Sequence, residues 1–200
     1  MTTVTASSCP ADPVVLPRLC ESLIMHYVIR RITGTEHREL RTIRLEALLD
    51  SPTAFGSSYD DTVALAEDVW QQQAAVEATS EECATFVAVD EAGAWVGIAG
   101  VGPIPDVPDH VHVHSVYVSP KYRGPAGPAA GLMRACIRHA QEHTSLGWLT
   151  LGVHEGNPRA LAFYRRFGFE DTGKIVPYRL NPAEKLLILG YPDFRAFDHQ

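Results

Sequence analysis

Apolar positions along the chain alternate between two spacings. His26-Tyr27-Val28-Ile29-Arg30-Arg31 has the β-branched and aromatic content of a first strand. Leu40, Ile43, Ala47 and Leu48 then recur at helical spacing, with Arg41 and Arg44 on the opposite side. Thr33-Gly34-Thr35-Glu36 has the spacing of a capping box at the start of that helix, and Asp50-Ser51-Pro52 ends it. A second helix is expected over residues 62–78. Strands over 85–89 and 94–100 flank Asp90-Glu91-Ala92-Gly93, a hairpin signal. Residues 102–109 carry three prolines and read as a loop. Next come a strand over 110–118 and a helix over 128–143, with Ala129, Met133, Cys136, Ile137 and Ala140 on its inner stripe. A strand over 148–153, a helix over 158–167 opened by a proline, and strands over 169–176 and 185–191 complete the pattern.

The predicted order is β-α-α-β-β-β-α-β-α-β-β. A hairpin-rich first half followed by a β-α-β unit implies an α/β (α+β) fold, with a mixed sheet covered by helices on both faces. Residues 1–24, rich in Thr, Ser and Pro, read as a disordered leader ahead of a single domain over 25–200. Met25 offers an alternative start.

Composition narrows the function. The chain has 200 residues, 46% of them hydrophobic and 20% charged, which fits one globular domain with a real core. A formal charge of −7 argues against nucleic-acid binding through a broad basic face and suits a cationic or neutral partner better. Cys9, Cys20, Cys83 and Cys136 are too scattered for a disulfide framework or a zinc knuckle. The apolar run 16–29 is broken by Pro17, Arg18, Glu21 and His26 and follows no basic segment, so neither a signal peptide nor a membrane span is expected. A cytoplasmic protein is expected.

Two stretches carry chemistry. In Val116-Tyr117-Val118-Ser119-Pro120-Lys121-Tyr122-Arg123-Gly124-Pro125-Ala126-Gly127 a strand runs through a small turn into a helix. Such a turn aims backbone N–H groups at a phosphate. Pro125 and Pro128 remove two donors, leaving the amides of Arg123, Gly124, Ala126, Gly127, Ala129 and Ala130. The second stretch is Asn157-Pro158-Arg159-Ala160-Leu161-Ala162-Phe163-Tyr164-Arg165-Arg166-Phe167-Gly168-Phe169, a strand-to-helix junction with Asn at its mouth. Phe163 and Phe167 are expected in the core. His110, His112 and His114 alternate on one strand and share a face. Neighbours on one straight strand make a poor tetrahedral cage, so no metal is expected; a neutral imidazole there could instead act as a base.

Together these stretches resemble the GNAT N-acetyltransferase superfamily, over about residues 26–191. Gly127-Pro128-Ala129, with one residue inserted, stands for the family's Gly-x-Gly/Ala turn, although proline intrudes. Asn157-x-x-Ala160-x-x-Phe163-Tyr164-x-x-x-Gly168-Phe169 is similar to the family's second motif, with the tyrosine one residue late.

The resemblance implies acetyl-CoA as co-substrate, in a cleft between the strands ending at Val118 and Val153. Backbone groups of Val116, Tyr117 and Val118 would pair with the pantetheine arm. Asn157 and Ala160 would border it, and Tyr164 would protonate the departing sulfur. The strand position often held by a basic glutamate is His112, with His114 as second candidate and His154 and Glu155 as outsiders. The acceptor would be the primary amine of a small molecule, held near Phe55, Tyr59, Asp60, Asp61, Asp106 and Asp109. Two alternatives stay open: an acyl-CoA-binding module without turnover, and a protein or peptide N-acetyltransferase. The resemblance also allows a homodimer, with the tail from Tyr191 to Phe197 as a contact.

Overall fold

A computed structural model of the chain describes residues 26–104, 107–145 and 147–192. The expected leader, Cys9, Cys20, Met25, Asp106 and the tail beyond Pro192 lie outside the described residues. The elements run β1 (Tyr27–Arg31), α1 (His37–Asp50), α2 (Tyr59–Val63), α3 (Glu67–Thr79), β2 (Ala84–Asp90), β3 (Trp95–Ile104), β4 (Val107–Val118), α4 (Ala129–His143), β5 (Trp148–His154), α5 (Pro158–Phe167), β6 (Glu170–Tyr178) and β7 (Asn181–Tyr191). The strands form one mixed sheet in the order β1-β2-β3-β4-β5-β7-β6. Every pair is antiparallel except β4 with β5.

Two cores lie on opposite faces of the sheet. Leu132, Met133, Cys136, Ile137 and Ala140 of α4 pack on Val111, Val113, Leu149, Leu151 and Val153, joined by Tyr164 from α5. Leu40, Ile43, Ala47 and Leu48 of α1 and Trp70 and Ala74 of α3 pack on Val87, Ile98 and Tyr117. The inner stripes of α1 and α4 are thus largely those expected from helical spacing. No helix among the described residues is long and apolar enough to cross a membrane.

Three expectations are corrected. The helix expected over 62–78 is two helices, parted around residues 64–66. Tertiary bonds fix the break: Arg41 donates to the carbonyl of Val63 at 3.2 Å, and Glu67, in the first turn of α3, pairs with His37 and Arg38. The proline-rich segment 102–109 is mostly strand, the far end of the β3–β4 hairpin, where Gly102 pairs with His112 and Pro103 with Val111. β3 pairs with β2 only as far as Val101 and β4 pairs with β5 only from His110, so neither Pro103 nor Pro108 removes a bond to a second neighbouring strand. The capping box is half formed: Glu36 accepts from the Thr33 amide at 2.7 Å, but Glu36 itself is the N-cap and no side chain caps α1 in return.

A bulge in β4 sets up the site. Gly100 to Gly102 pair with His114 to His112 in one register, whereas Gly97 and Ile98 pair with Val118 and Tyr117 in another. Ser115 is the extra residue, held at φ 55°. An extra residue reverses the alternation of side chains beyond it. Val111 and Val113 face α4 on the near side of the bulge, while beyond it Val118 faces α4 and Tyr117 enters the opposite core.

Candidate functional site

β4 and β5 pair only at His110–Trp148, Val111–Leu149 and His112–Thr150. Beyond that point β4 stays with β3 and β5 stays with β7, so the two central strands part. The gap is a cleft of about 480 Å³. Its lining includes Val116, Tyr117, Val118, Arg123, Gly124, Gly127, Ala129, Ala130, Asn157, Ala160 and Tyr164. Two stretches far apart in sequence are therefore brought onto facing walls; of the cofactor-side residues expected from sequence, Ala126 alone does not line the cleft.

The turn before α4 is locally built. Pro120–Tyr122 forms a single 3-10 turn, and the Arg123 amide donates back to Pro120 at 3.3 Å. The Gly127 amide donates to the Gly124 carbonyl at 3.0 Å. These two amides, expected as phosphate donors, already have partners. Gly124, Ala126, Ala129 and Ala130 keep theirs without a partner among the described residues, two of them in the first turn of α4. Gly127 is required by space, since a Cβ there would stand 2.1 Å from the Tyr122 carbonyl oxygen. Gly124 has φ 135°, which side-chain-bearing residues avoid. The Arg123 side chain turns away from the amides: it pairs with Asp50 and donates to the Val118 carbonyl at 2.7 Å.

The opposite wall is α5. Asn157 accepts from the Ala160 amide at 3.0 Å, Pro158 opens the first turn, and Gly168, at φ 112°, closes the helix with bonds to its last carbonyls. Pinned at both ends, α5 sets Tyr164 8% exposed between the core and the cleft. Its hydroxyl has no hydrogen-bond partner among the described residues. Burial, with Cys136 beside it, pushes the phenol well above its ordinary range, so it holds its proton at neutral pH. Phe163 and Phe167, expected in the core, are only half-buried, and Phe163 lines the cleft. The tyrosine is the deeper of the neighbours because it, not Phe163, points to Phe169 and the α4 core.

The histidines lie beyond the cleft. Two smaller cavities continue it, the first of about 70 Å³, sharing Tyr164, Asn157 and Phe55 with the cleft and adding His114 and Ser115. The second, of about 230 Å³, is lined by His112, His114, Ser115, Arg44, Tyr178 and Arg179. His112 Nδ1 lies 3.2 Å from the Thr150 hydroxyl, whose other neighbour is the Val111 carbonyl at 3.5 Å. With the hydroxyl donating to that carbonyl, Nδ1–H donates to Thr150 and the Nε2 lone pair faces outward. Burial, aided by His114 and His110, lowers its pKa to about 4, so the ring is neutral. Burial likewise lowers His114, whose Nδ1 lies 3.2 Å from the Ser115 hydroxyl. His110 instead stacks on Trp148. His154 bonds the Glu184 carboxylate of β7 and accepts from the Gly156 amide, and Glu155 accepts from the Lys185 amide of β7, so both outsiders already have partners.

Of the acidic residues expected around the acceptor, Asp60, Asp61 and Asp109 do not line these cavities. Asp61 bonds Ser58 at the start of α2, and Asp60 and Asp109 are exposed elsewhere. Among the described residues no aspartate or glutamate lines any of the three spaces, whereas Arg123, Arg159 and Arg166 line the cleft and Arg44 and Arg179 the far cavity. Sequence reading missed Arg44, Arg159, Arg166 and Arg179 as site residues. For Arg159 the signal was available, inside the Asn157–Ala160 stretch. For Arg179, on the β6–β7 turn, there was none.

Residues 45–169 match the family model described as Acetyltransferase (GNAT) family. The chain is 31% identical over 101 residues to the N-alpha-acetyltransferase RimI of Mycobacterium tuberculosis, an alignment covering 50% of this chain and 61% of that relative's length. Among solved structures, an acetyltransferase of the GNAT family from Streptococcus pneumoniae superimposes with a TM-score of 0.69 at 18% identity, over 82% of this chain and 98% of the other. A phosphinothricin acetyltransferase from Sinorhizobium meliloti, solved with AcCoA, gives 0.66 at 19% identity over 83% and 88%. At these identities the two structures bear on the fold alone.

Proposed function

Since the chain belongs to the acetyltransferase (GNAT) family, we propose that it transfers an acetyl group from acetyl-CoA to the primary amine of a small molecule, both bound at once. The observation that carries this reading is the parting of β4 and β5 beyond His112, with the unpartnered amides of Gly124, Ala129 and Ala130 on one wall of the gap and Tyr164 on the other. The amides of Gly124, Ala129 and Ala130, which line the cleft, receive the pyrophosphate at the start of α4. Arg159 and Arg166, exposed at the cleft and without an ion-pair partner among the described residues, offer charge to the remaining phosphate. The β5-side edge of β4 at Val116–Val118, left unpaired by the parting, accepts the pantetheine amides as an added strand.

Acetyl-CoA supplies the activated thioester: the amine nitrogen forms the new C–N bond and the C–S bond breaks. The neutral imidazole of His112 or His114 takes the proton the amine must lose. Tyr164, protonated and buried, gives its proton to the departing thiolate, and is reset from solvent. The lowered basicity of the histidines costs driving force, but it keeps the rings unprotonated throughout the neutral range.

The similarity to RimI favours a second reading, in which the acceptor is the N-terminus of a protein. Calorimetric titration with acetyl-CoA, followed by thiol-release assays on small amines and on peptides, separates the readings. Binding with release on small amines supports the proposal, and release on peptides alone replaces it with the second reading. Saturable binding without release on any acceptor makes the chain an acyl-CoA-binding module, and absence of binding by the folded protein overturns the cleft itself.

A further inference from the structure

The far cavity is a cationic pocket in an acidic protein. Arg44 projects from α1 into it; Nη1 donates to the Ser115 hydroxyl at 3.3 Å and Nη2 to the Ser57 hydroxyl at 2.9 Å, and the guanidinium rests over the Phe55 ring at 4.7 Å. Among the described residues no carboxylate comes within ion-pair distance of Arg44 or Arg179. Burial pushes the Arg44 guanidinium down from its ordinary value, and the charge of Glu77 opposes this only from a distance. A desolvated cation held by two hydroxyls and an aromatic face keeps donors unused, and its charge is offset only in part, by Glu77 from beyond ion-pair distance, so an arriving anion is favoured. Arg179 stands across the cavity on the β6–β7 turn, exposed, with its side-chain stem beside Gly56. The histidines between them are neutral.

Resting on the acetyltransferase reading above, we propose that the acceptor is a small amine that also bears a carboxylate, docked with that carboxylate on Arg44 and Arg179 and its amine toward His114 and Tyr164. A planar guanidinium matches a carboxylate with two parallel N–H bonds. The size agrees: about 230 Å³ lies below the range usual for drug-sized ligands and suits an amino acid. The order of the spaces agrees too, because the narrow middle cavity, bordered by His114 and Tyr164, joins the arginine pocket to the cleft. A polyamine would bring a second positive charge to these arginines with no carboxylate to receive it.

The test is binding, independent of turnover. CoA-loaded protein is titrated by calorimetry with α-, β- and γ-amino acids and dipeptides, each beside its carboxamide, and with spermidine. The expected result is that carboxylate members bind at least about tenfold more tightly than their carboxamides, and that Arg44→Gln and Arg179→Gln each erase the difference while acetyl-CoA affinity stays unchanged. Arg179→Gln, at an exposed turn, keeps the test decisive if Arg44→Gln fails to fold. Equal binding of acid and carboxamide across the panel, or preference for spermidine, overturns the proposal. Carboxylate binding without acetyl transfer sinks the enzymatic reading and leaves the anion pocket standing, so the two failures are distinguishable.

Discussion

Gly100 of β3 lies directly across the ladder from His114 of β4, and a Cβ at Gly100 would stand 2.3 Å from the imidazole Cε1. The glycine is the floor on which this histidine lies flat. Gly100→Ala therefore drives the ring out of its seat, at a cost of about 1–3 kcal/mol, as overpacking of a tight site does. Urea unfolding measures the loss; an unchanged midpoint would mean that the ring moves aside freely and that His114 is not held in place.

Tyr164→Phe separates chemistry from structure. The hydroxyl has no partner among the described residues, so its removal leaves stability within about 1 kcal/mol of the parent. Under the proposed function kcat falls by about 10²-fold or more, the range of a lost general acid, while calorimetry finds acetyl-CoA bound as before. A turnover rate unchanged by the substitution would remove Tyr164 from the mechanism.

Stability responds to acid with a definite sign. His112 titrates near 4 in the folded chain against 6.5 as an unperturbed group, so between these values the unfolded state binds the extra proton. Stability is accordingly full above about pH 6.5 and declines as pH falls toward 4, by at most about 3 kcal/mol from this group. His139, also lowered by burial to about 4, contributes in the same direction. Denaturation curves at a series of pH values should be visibly flatter for His112→Gln than for the parent; parallel curves would show that the imidazole is not desolvated.

Arg159 and Arg166 are exposed at the cleft, and their contribution should be electrostatic. Replacing either by Ala weakens acetyl-CoA binding about tenfold at low salt and by less as salt rises, because screening already removes part of the attraction. A loss that did not diminish with salt would point to packing instead.

Much of the architecture was legible because it is written in short-range pattern. The stripes of α1 and α4 follow helical spacing, and α5 carries both of its boundaries in Asn157-Pro158 and Gly168. What was illegible depends on partners distant in sequence. Nothing between Val63 and Glu67 breaks a helix on its own; Arg41, His37 and Arg38 do so from another element. The prolines near the β3–β4 tip suggested a loop because their tolerance depends on where β5 begins. The bulge at Ser115 leaves no mark in alternation when the flanking residues are Val, Tyr and Val. The acidic acceptor site was implied by the resemblance, which names the loops around a recess but not the side chains that line it. Arg44 stands on the side of α1 opposite its apolar stripe, and helical spacing does not show that this side closes over the far cavity.

The parting of β4 and β5 has a kinetic consequence. The three spaces run in a row from the cleft, lined by the α4 turn and α5, to the far cavity, lined by Arg44 of α1 and the β6–β7 turn. Substrates that enter from opposite ends do not obstruct one another, so under the proposed function neither must arrive or leave first. Initial-rate lines should intersect, and each product should inhibit competitively against the substrate whose door it shares, the signature of a random-order ternary complex rather than of a queue.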